Sequence, residues 1–240
     1  MQAHMLEGIA PVRPFQTKEE YIYRALQDAI LQCKVLPGEK LVIDRLTTVF
    51  GTSAIPIRSA LQRLQAEGLV KIVPHAGAVV SNISLDMVEE IFAILEALES
   101  IAFQFAAEKV QDSDLAELEK SVELMEQACR DGDIDGWSDL NGDFHCKVAE
   151  MANMGLLLDF TKRAFNYWKR IRRYYLQEII TDILTAQAEH HEMLRLLRQR
   201  RRKDLVALVA QHNRQSRDYY MKVVQSGSEN PSPQWQHNPS

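Results

Sequence analysis

The stretch "GTSAIPIRSALQRLQAEGLVKIVPHAGAVV", residues 51–80, decides the fold of the N-terminal region. Its first three residues predict a tight turn, and Ser53 is of a type that caps helix N-termini. Pro56 then falls in the first turn of the predicted helix, where its missing N–H costs little. The apolar spacing predicts that this helix runs to Glu67 and stops at Gly68.

Two short β-branched runs follow this helix, at Leu69–Val73 and Ala78–Ser81. The four residues between them, Pro74-His75-Ala76-Gly77, are typical of a hairpin turn. Upstream, apolar periodicity predicts a helix at about Lys18–Cys33 and a short helix at about Ile43–Phe50. Three helices followed by a two-stranded hairpin predict a winged helix-turn-helix.

The remainder of the chain is predicted to be all-helical. No further strand pattern occurs, and helical periodicity predicts six helices, at about 85–109, 113–131, 136–152, 155–177, 179–200 and 203–224. The predicted fold class is therefore mostly α, a winged helix-turn-helix followed by an all-α six-helix bundle. The expected boundaries are a flexible arm at 1–17, the winged helix at 18–82, the helical domain at 83–225 and a disordered tail at 226–240.

Composition and charge narrow the class of protein. The 240 residues are 46% hydrophobic and 25% charged, which supports packed cores in a globular protein. No apolar run approaches the length of a membrane span, no signal peptide is evident, and the three scattered cysteines fit a reducing cytoplasm. Residues 1–80 hold nine Lys or Arg and seven Asp or Glu, whereas residues 81–240 hold nineteen and twenty-six. This asymmetry permits nucleic-acid contact by the first part of the chain.

Histidines bracket the segment "HHEMLRLLRQRRRKDLVALVAQH" near the C-terminus. His190 and His212 each lie eleven residues from Arg201, the middle of a predicted turn between two helices. In an antiparallel hairpin both would stand ~16 Å from the turn, at the same height. On an earlier predicted helix, Asn141 and His145 are spaced i, i+4 and share one face. Each of these histidines taken alone is more often a hydrogen-bonded or surface group than a metal ligand.

The segment "KRAFNYWKRIRRYY", residues 162–175, mixes bulky aromatics with six basic residues. Arg172 or Arg173 is a candidate to hold a carboxylate of a small-molecule effector, with Trp168 beside it. The alternative is that the aromatics belong to the core and the arginines form a solvated basic face.

The chain resembles the GntR family of bacterial transcription regulators. The resemblance is carried by residues 29–80 and, in the helical part, by "NGDFH", "AEHHEML" and "VAQH", which are similar to the FCD effector domain of the FadR subfamily. Six helices after the wing are closer to its shorter, VanR-like branch. The resemblance covers about residues 18–224.

The resemblance implies that the helix at about Ile55–Glu67 enters the major groove of double-stranded DNA by its N-terminal end. Arg58 matches the family's base- and phosphate-contacting arginine, and the supporting candidates for the DNA-binding site are Ser53, Ser59, Arg63, Lys71 and His75. Alternatively, Arg58 and Arg63 only solvate an amphipathic helix. Ala54 and Ala76 stand where relatives usually carry arginine, so the operator sequence is not transferred. A homodimer on an inverted-repeat operator is expected.

The resemblance also implies a metal site formed by Asn141, His145, His190 and His212. This donor set favours a divalent ion, with Zn or Ni preferred and Mn or Fe as alternatives, and leaves positions for water or an effector carboxylate. Relatives often have aspartate in place of Asn141, and an arginine where this chain has Leu95, four residues before Glu99.

The predicted function is that of a ligand-responsive transcriptional regulator, expected to act as a repressor and not as an enzyme. The effector is expected to be an organic acid, and no membrane partner is expected. A metallohydrolase with Glu189 or Glu192 as base is one alternative. A metal sensor, in which the metal itself is the signal, and a purely structural metal are two others.

Overall fold

The computed structural model describes residues 17–74, 76–175 and 180–228. The chain forms two compact units, the first reaching Asn82 apart from residues 31–33, and the second containing those three residues and the chain from Ile83 onward. Several predictions lie outside the described residues, namely nearly all of the arm, His75, the last part of the helix ending at 177, and the tail beyond Ser228.

The first unit contains the helices and strands of a winged helix. Its elements are α1 Lys18–Leu31, β1 Lys40–Val42, α2 Ile43–Phe50, α3 Ala54–Ala66, β2 Val70–Val73 and β3 Gly77–Val80. The sheet has the order β1-β3-β2 and both pairings are antiparallel. The predicted two-stranded hairpin is confirmed as β2 and β3. Strand β1 was not predicted, because its three residues are too few to show an alternating pattern.

Two glycines set the turns of this unit. Gly51 ends α2 in the left-handed region (φ 56°), which glycine adopts without steric cost. Gly77 begins β3 with φ 129°, and a Cβ there would lie 2.1 Å from the backbone oxygen of Leu41. The absence of a side chain at Gly77 therefore lets β1 approach β3. The buried core of this unit includes aliphatic residues of α1 and α3, namely Ile22, Ile30, Ile57, Leu61 and Leu64.

The second unit consists, in its described part, of six helices. They are α4 Leu85–Lys109, α5 Asp112–Asp131, α6 Ile134–Met151, α7 Gly155–Tyr174, α8 Ile180–Arg198 and α9 Arg202–Ser228. Side chains stabilise several of the N-termini, since Ser84 accepts a hydrogen bond from the N–H of Met87 and Asp133 accepts one from Gly136. The helix predicted to reach residue 177 ends at Tyr174, and the last helix extends to Ser228, past its predicted end at 224 and into the predicted tail.

Helix α4 has neighbours on several sides, since it packs against α6, α7 and α9. Its buried side chains, including Phe92, Leu95 and Phe103, recur at helical spacing. Helices α8 and α9 pack against each other across the turn at residues 199–201, as predicted. In the described part of the chain, no helix has both the length and the hydropathy required to cross a membrane.

Candidate metal centre and nucleic-acid interface

Three histidines from three helices converge inside the second unit. His145 on α6, His190 on α8 and His212 on α9 are 1%, 0% and 7% exposed. One ring nitrogen from each lies within 4.8 Å of the others, and Nε2 of His145 is 3.2 Å from Nε2 of His190. Two imidazoles bound to one tetrahedral zinc ion at ~2.0–2.1 Å would have nitrogens ~3.3 Å apart. The observed spacing therefore fits a shared ion.

Asn141 completes the predicted set. It lies one turn before His145 on α6, is 4% exposed, and borders the same cavity as His145 and His212. Its Oδ1 is buried and has no hydrogen-bond partner among the described residues. An amide oxygen left in this state is costly unless another group binds it. A cation held by the three neighbouring imidazoles would be such a group.

Two carboxylates contact the outward-facing nitrogens of these histidines. Oε1 of Glu99 is 2.5 Å from Nδ1 of His145, and Oε2 of Glu189 is 2.6 Å from Nδ1 of His212. Asn213 Nδ2 donates a hydrogen bond of 2.5 Å to the second oxygen of Glu99. A carboxylate at Nδ1 favours the tautomer that leaves Nε2 unprotonated, as in carboxylate–histidine–metal arrangements. From the sequence, Glu189 was considered only as a possible base of a metallohydrolase, and Glu99 was noted only as the residue four positions after Leu95.

The electrostatics of the cluster lower the pKa values of His190 and Glu99. Burial, together with the charges of His145 and His212, holds the pKa of His190 well below its usual value, so the imidazole is neutral. Burial acts to raise the pKa of Glu99, but His145, His212 and Asn213 outweigh it and the pKa is lowered. Burial raises the pKa of Cys146 to about 12, so this thiol is protonated at neutral pH.

The cavity beside the histidines is small. Its volume is about 20 Å³, and its lining includes Leu95, Trp137 and Trp168. A site of this size holds one water-sized occupant and no organic molecule. Of the predicted effector residues, only Trp168 borders the cavity.

The two predicted effector arginines have different surroundings. Arg172 is 1% exposed, and its guanidinium lies 5.2 Å from the Trp137 ring centroid. Arg173 is partly exposed and forms ion pairs with Asp135 and Asp139. The structure therefore separates the two, and only Arg172 is directed into the bundle.

Arg58 occupies an exposed position on α3 in the first unit. Among the described residues it forms no ion pair and no hydrogen bond, so its guanidinium is available to a ligand. It borders a groove of about 180 Å³ together with Gln62 and wing residues such as Ile72. This groove joins the predicted recognition helix to the wing.

The other predicted DNA-contacting residues differ in how they are placed. Ser53 is the N-cap residue of α3, as predicted, but its side chain makes no capping hydrogen bond and is exposed. Ser59 is half-buried, Lys71 is exposed on β2, and His75 lies outside the described residues. Two residues that sequence reasoning did not select are also exposed here, Arg45 on α2 and Ile55 on α3. The sequence feature that could have identified them is their position on α2 and α3, the two helices of the helix-turn-helix.

Arg63 is directed toward α1 and is partly exposed. Its Nη1 donates a hydrogen bond of 2.6 Å to Glu20, and its guanidinium lies 3.8 Å from the centroid of the Tyr23 ring. Tyr23 in turn donates a hydrogen bond to Glu67 at the end of α3. This arrangement assigns Arg63 to the packing of α1 against α3.

Two family models match this chain, one in its winged-helix part and one in its helical part. The sequence profile of "Bacterial regulatory proteins, gntR family" matches residues 18–80, and that of the FCD domain matches residues 90–215. The chain belongs to the GntR family. It carries an FCD domain, as the resemblance implied.

Relatives agree with this assignment. The chain is 28% identical over 148 residues to the HTH-type transcriptional repressor RspR of Escherichia coli K12. The aligned region is 62% of this chain and 65% of RspR, so the chain spans just under two thirds of the length of this relative. It is 31% identical over 126 residues to an HTH-type transcriptional regulator of Agrobacterium vitis, covering 51% of this chain and 74% of the relative. The solved structure of E. coli McbR/YncC has a TM-score of 0.73 at 22% identity, covering 86% of this chain and 98% of that one, and so shows the same fold.

Membership of this family settles one of the alternatives. The family and the relatives are transcriptional regulators and not enzymes, so the metallohydrolase interpretation is wrong. The structure accounts for the two proposed bases differently, because Glu189 contacts His212 and Glu192 pairs with Arg195 at the surface. Assignment to the FadR subfamily and its VanR-like branch stays a prediction.

Proposed function

We propose that this protein is an effector-responsive transcriptional regulator that binds DNA through its winged helix and a divalent metal ion through its helical unit. The observation that carries the proposal is the convergence of three buried imidazoles and an unpartnered amide oxygen in a chain with this domain order. We place its action in the cytoplasm, where the operator DNA is found, and infer repression as the direction of control.

Asn141, His145, His190 and His212 would hold the metal. Imidazole suits Zn, Ni and Fe, and the amide oxygen extends the choice to Mn. When bound, the ion supplies a fixed positive charge with positions open to an anionic ligand. The residues of this chain would contribute three imidazoles, of which Glu99 contacts that of His145 and Glu189 that of His212.

Metal content tests this part of the proposal. Elemental analysis should find about one divalent ion per chain in the wild-type protein, and much less in His190→Ala. His191→Ala is the matched control, because His191 is the next residue, is exposed and pairs with Glu126 at the surface. Equal metal content in the two variants would contradict the assigned site.

For DNA binding we propose that α3 enters the major groove and that Arg58 contacts bases or phosphates. Ser53, Ser59, Lys71 and His75 would support the contact, whereas Arg63 serves the fold. In a gel-shift assay on selected operator DNA, Arg58→Ala should abolish specific binding. Arg24→Ala, which removes an exposed arginine of α1, should retain it. Loss of specific binding in Arg24→Ala, with binding retained in Arg58→Ala, would contradict this interface.

Homodimer formation would place two winged helices on an inverted repeat. The helical unit exposes apolar side chains at helical spacing that would be covered in such a dimer, Ile94 and Ile101 on α4, and Leu156 and Phe160 on α7. Sedimentation should find a dimer for the wild-type protein and a shift toward monomer for Phe160→Glu. A wild-type monomer at micromolar concentration would contradict the dimer.

The effector is proposed to be an organic acid. Because the cavity holds only a water-sized occupant, binding of such a molecule requires the surrounding helices to rearrange. The effector would change operator affinity by binding better to one arrangement than to another. We propose α4, which directly follows the wing, as the element that responds.

A metal sensor is the second candidate function, and the cavity size favours it because an ion fits without rearrangement. Gel shifts with and without added zinc, after removal of metal by a chelator, separate the two. A change in operator affinity with the metal alone identifies a metal sensor, whereas a change only when an organic acid is added identifies an effector-responsive regulator.

A further inference from the structure

We propose that Arg172 is the binding site for a carboxylate of the effector. This inference rests on the proposed function and names the ligand chemistry and its anchoring residue. Arg172 lies on α7, is 1% exposed, and forms no ion pair with any carboxylate of the described residues. Arg172 Nη1 donates a hydrogen bond of 3.3 Å to the hydroxyl of Tyr220.

The free donors of Arg172 form one edge of the guanidinium. Nε and Nη2 are both buried and have no hydrogen-bond partner among the residues that the structure describes. These two N–H groups point the same way, and this edge binds a carboxylate through two parallel hydrogen bonds. The fold therefore buries a cation and leaves open the pair of donors suited to a planar anion.

The neighbouring arginine, Arg173, differs from Arg172 in its surroundings. Arg173 is the next residue on α7 and is neutralised by Asp135 and Asp139, at 3.4 Å from each. The Trp137 ring and the Tyr220 hydroxyl offset only part of the cost of burying the Arg172 charge. An anion that enters beside Arg172 would supply the missing countercharge.

Aromatic side chains connect Arg172 to the histidine cavity. Trp137 lies beneath the guanidinium and also borders the cavity, and Trp168 borders the cavity one helical turn before Arg172. Phe165, seven residues before Arg172, stacks on the His145 ring. Seven residues correspond to ~10 Å along the helix. The ligand class is therefore a carboxylate with an aromatic or apolar body that lies against the two tryptophans.

Thermal unfolding of the full-length, metal-loaded protein tests the proposal. The probes are sodium benzoate and inorganic phosphate, each compared with sodium chloride at equal ionic strength. Benzoate should raise the melting temperature of the wild-type protein. Arg172→Met should lose this rise, and Arg173→Met should retain it. Arg172→Lys keeps the charge without the paired donors and should bind benzoate about 10- to 100-fold more weakly.

The melting temperatures measured in sodium chloride without benzoate provide a second readout, one that a purely structural role of Arg172 would not give. Arg172→Met removes an uncompensated buried charge, so its melting temperature without benzoate should equal or exceed that of the wild-type protein. Loss of the Arg173 ion pairs should lower it. The proposal is overturned if benzoate does not stabilise the wild-type protein, if it stabilises Arg172→Met equally, or if phosphate alone gives the Arg172-dependent rise. Metal content and operator binding are measured separately, so this proposal can fail while the proposed function holds.

Discussion

Glu99 and His145 form a buried pair in which a carboxylate oxygen lies 2.5 Å from the imidazole Nδ1. The pair joins α4 to α6, and its other histidine nitrogen, Nε2, lies 3.2 Å from Nε2 of His190. Glu99 would thus be a positioning residue for the proposed metal, because a carboxylate at Nδ1 favours the imidazole tautomer that leaves Nε2 free to bind it.

Glu99→Gln should weaken metal binding about 10- to 100-fold, since a neutral amide orients the imidazole less strongly and lowers its basicity. Competition against a chromophoric chelator measures the affinity. Glu96→Gln is the control, because Glu96 lies on the same helix but pairs with Arg214 at the surface. Unchanged affinity in Glu99→Gln would show that the buried pair serves packing alone.

Asn141→Asp should bind the metal more tightly than the wild-type protein, because an ionised carboxylate is a stronger donor than an amide oxygen. Asn141→Ala should bind it more weakly. The same competition assay ranks the three proteins. If the aspartate variant bound no better than the alanine variant, residue 141 would not be a ligand.

Gly77→Ala should destabilise the winged helix more than Gly51→Ala. At Gly51 the added Cβ meets nothing within 4 Å, so the cost is that of the left-handed backbone, about 1–2 kcal/mol. At Gly77 the Cβ would lie 2.1 Å from a backbone oxygen of β1, and strand separation adds to a backbone cost of about 1–3 kcal/mol. Denaturant unfolding of the two variants compares these costs, and equal destabilisation would argue against close packing of β1 on β3.

Arg63→Ala should lower the free energy of unfolding by about 1 kcal/mol, because it removes a partly exposed ion pair with Glu20 and the contact with the Tyr23 ring. Operator affinity should fall far less than in Arg58→Ala. Unfolding and gel shifts on both variants check this. Unchanged stability together with lost DNA binding in Arg63→Ala would instead place Arg63 in the DNA interface.

Much of the fold follows from local patterns. The equal spacing of His190 and His212 from the turn at Arg201 predicted their convergence, and their ring centroids lie 5.3 Å apart. The i, i+4 spacing of Asn141 and His145 likewise placed both residues in one site. These predictions hold because a helix converts sequence spacing directly into a shared face.

Long-range pairing could not be predicted in the same way. Arg63 meets Glu20 across 43 residues, and no local pattern links them. Arg172 and Arg173 are adjacent, but about 100° of helical rotation buries one and pairs the other with aspartates. Strand β1 depends on pairing with β3 and is too short to show a pattern of its own.

Anomalous X-ray diffraction from crystals of the metal-loaded protein tests the central claim most directly. Data collected on both sides of the metal's absorption edge should show one peak per chain in the helical unit, at ~2.0–2.1 Å from one ring nitrogen each of His145, His190 and His212 if the ion is zinc. The oxygen of Asn141 should face the same peak. A peak at surface carboxylates, or none at these histidines with zinc present in the crystal, would contradict the account.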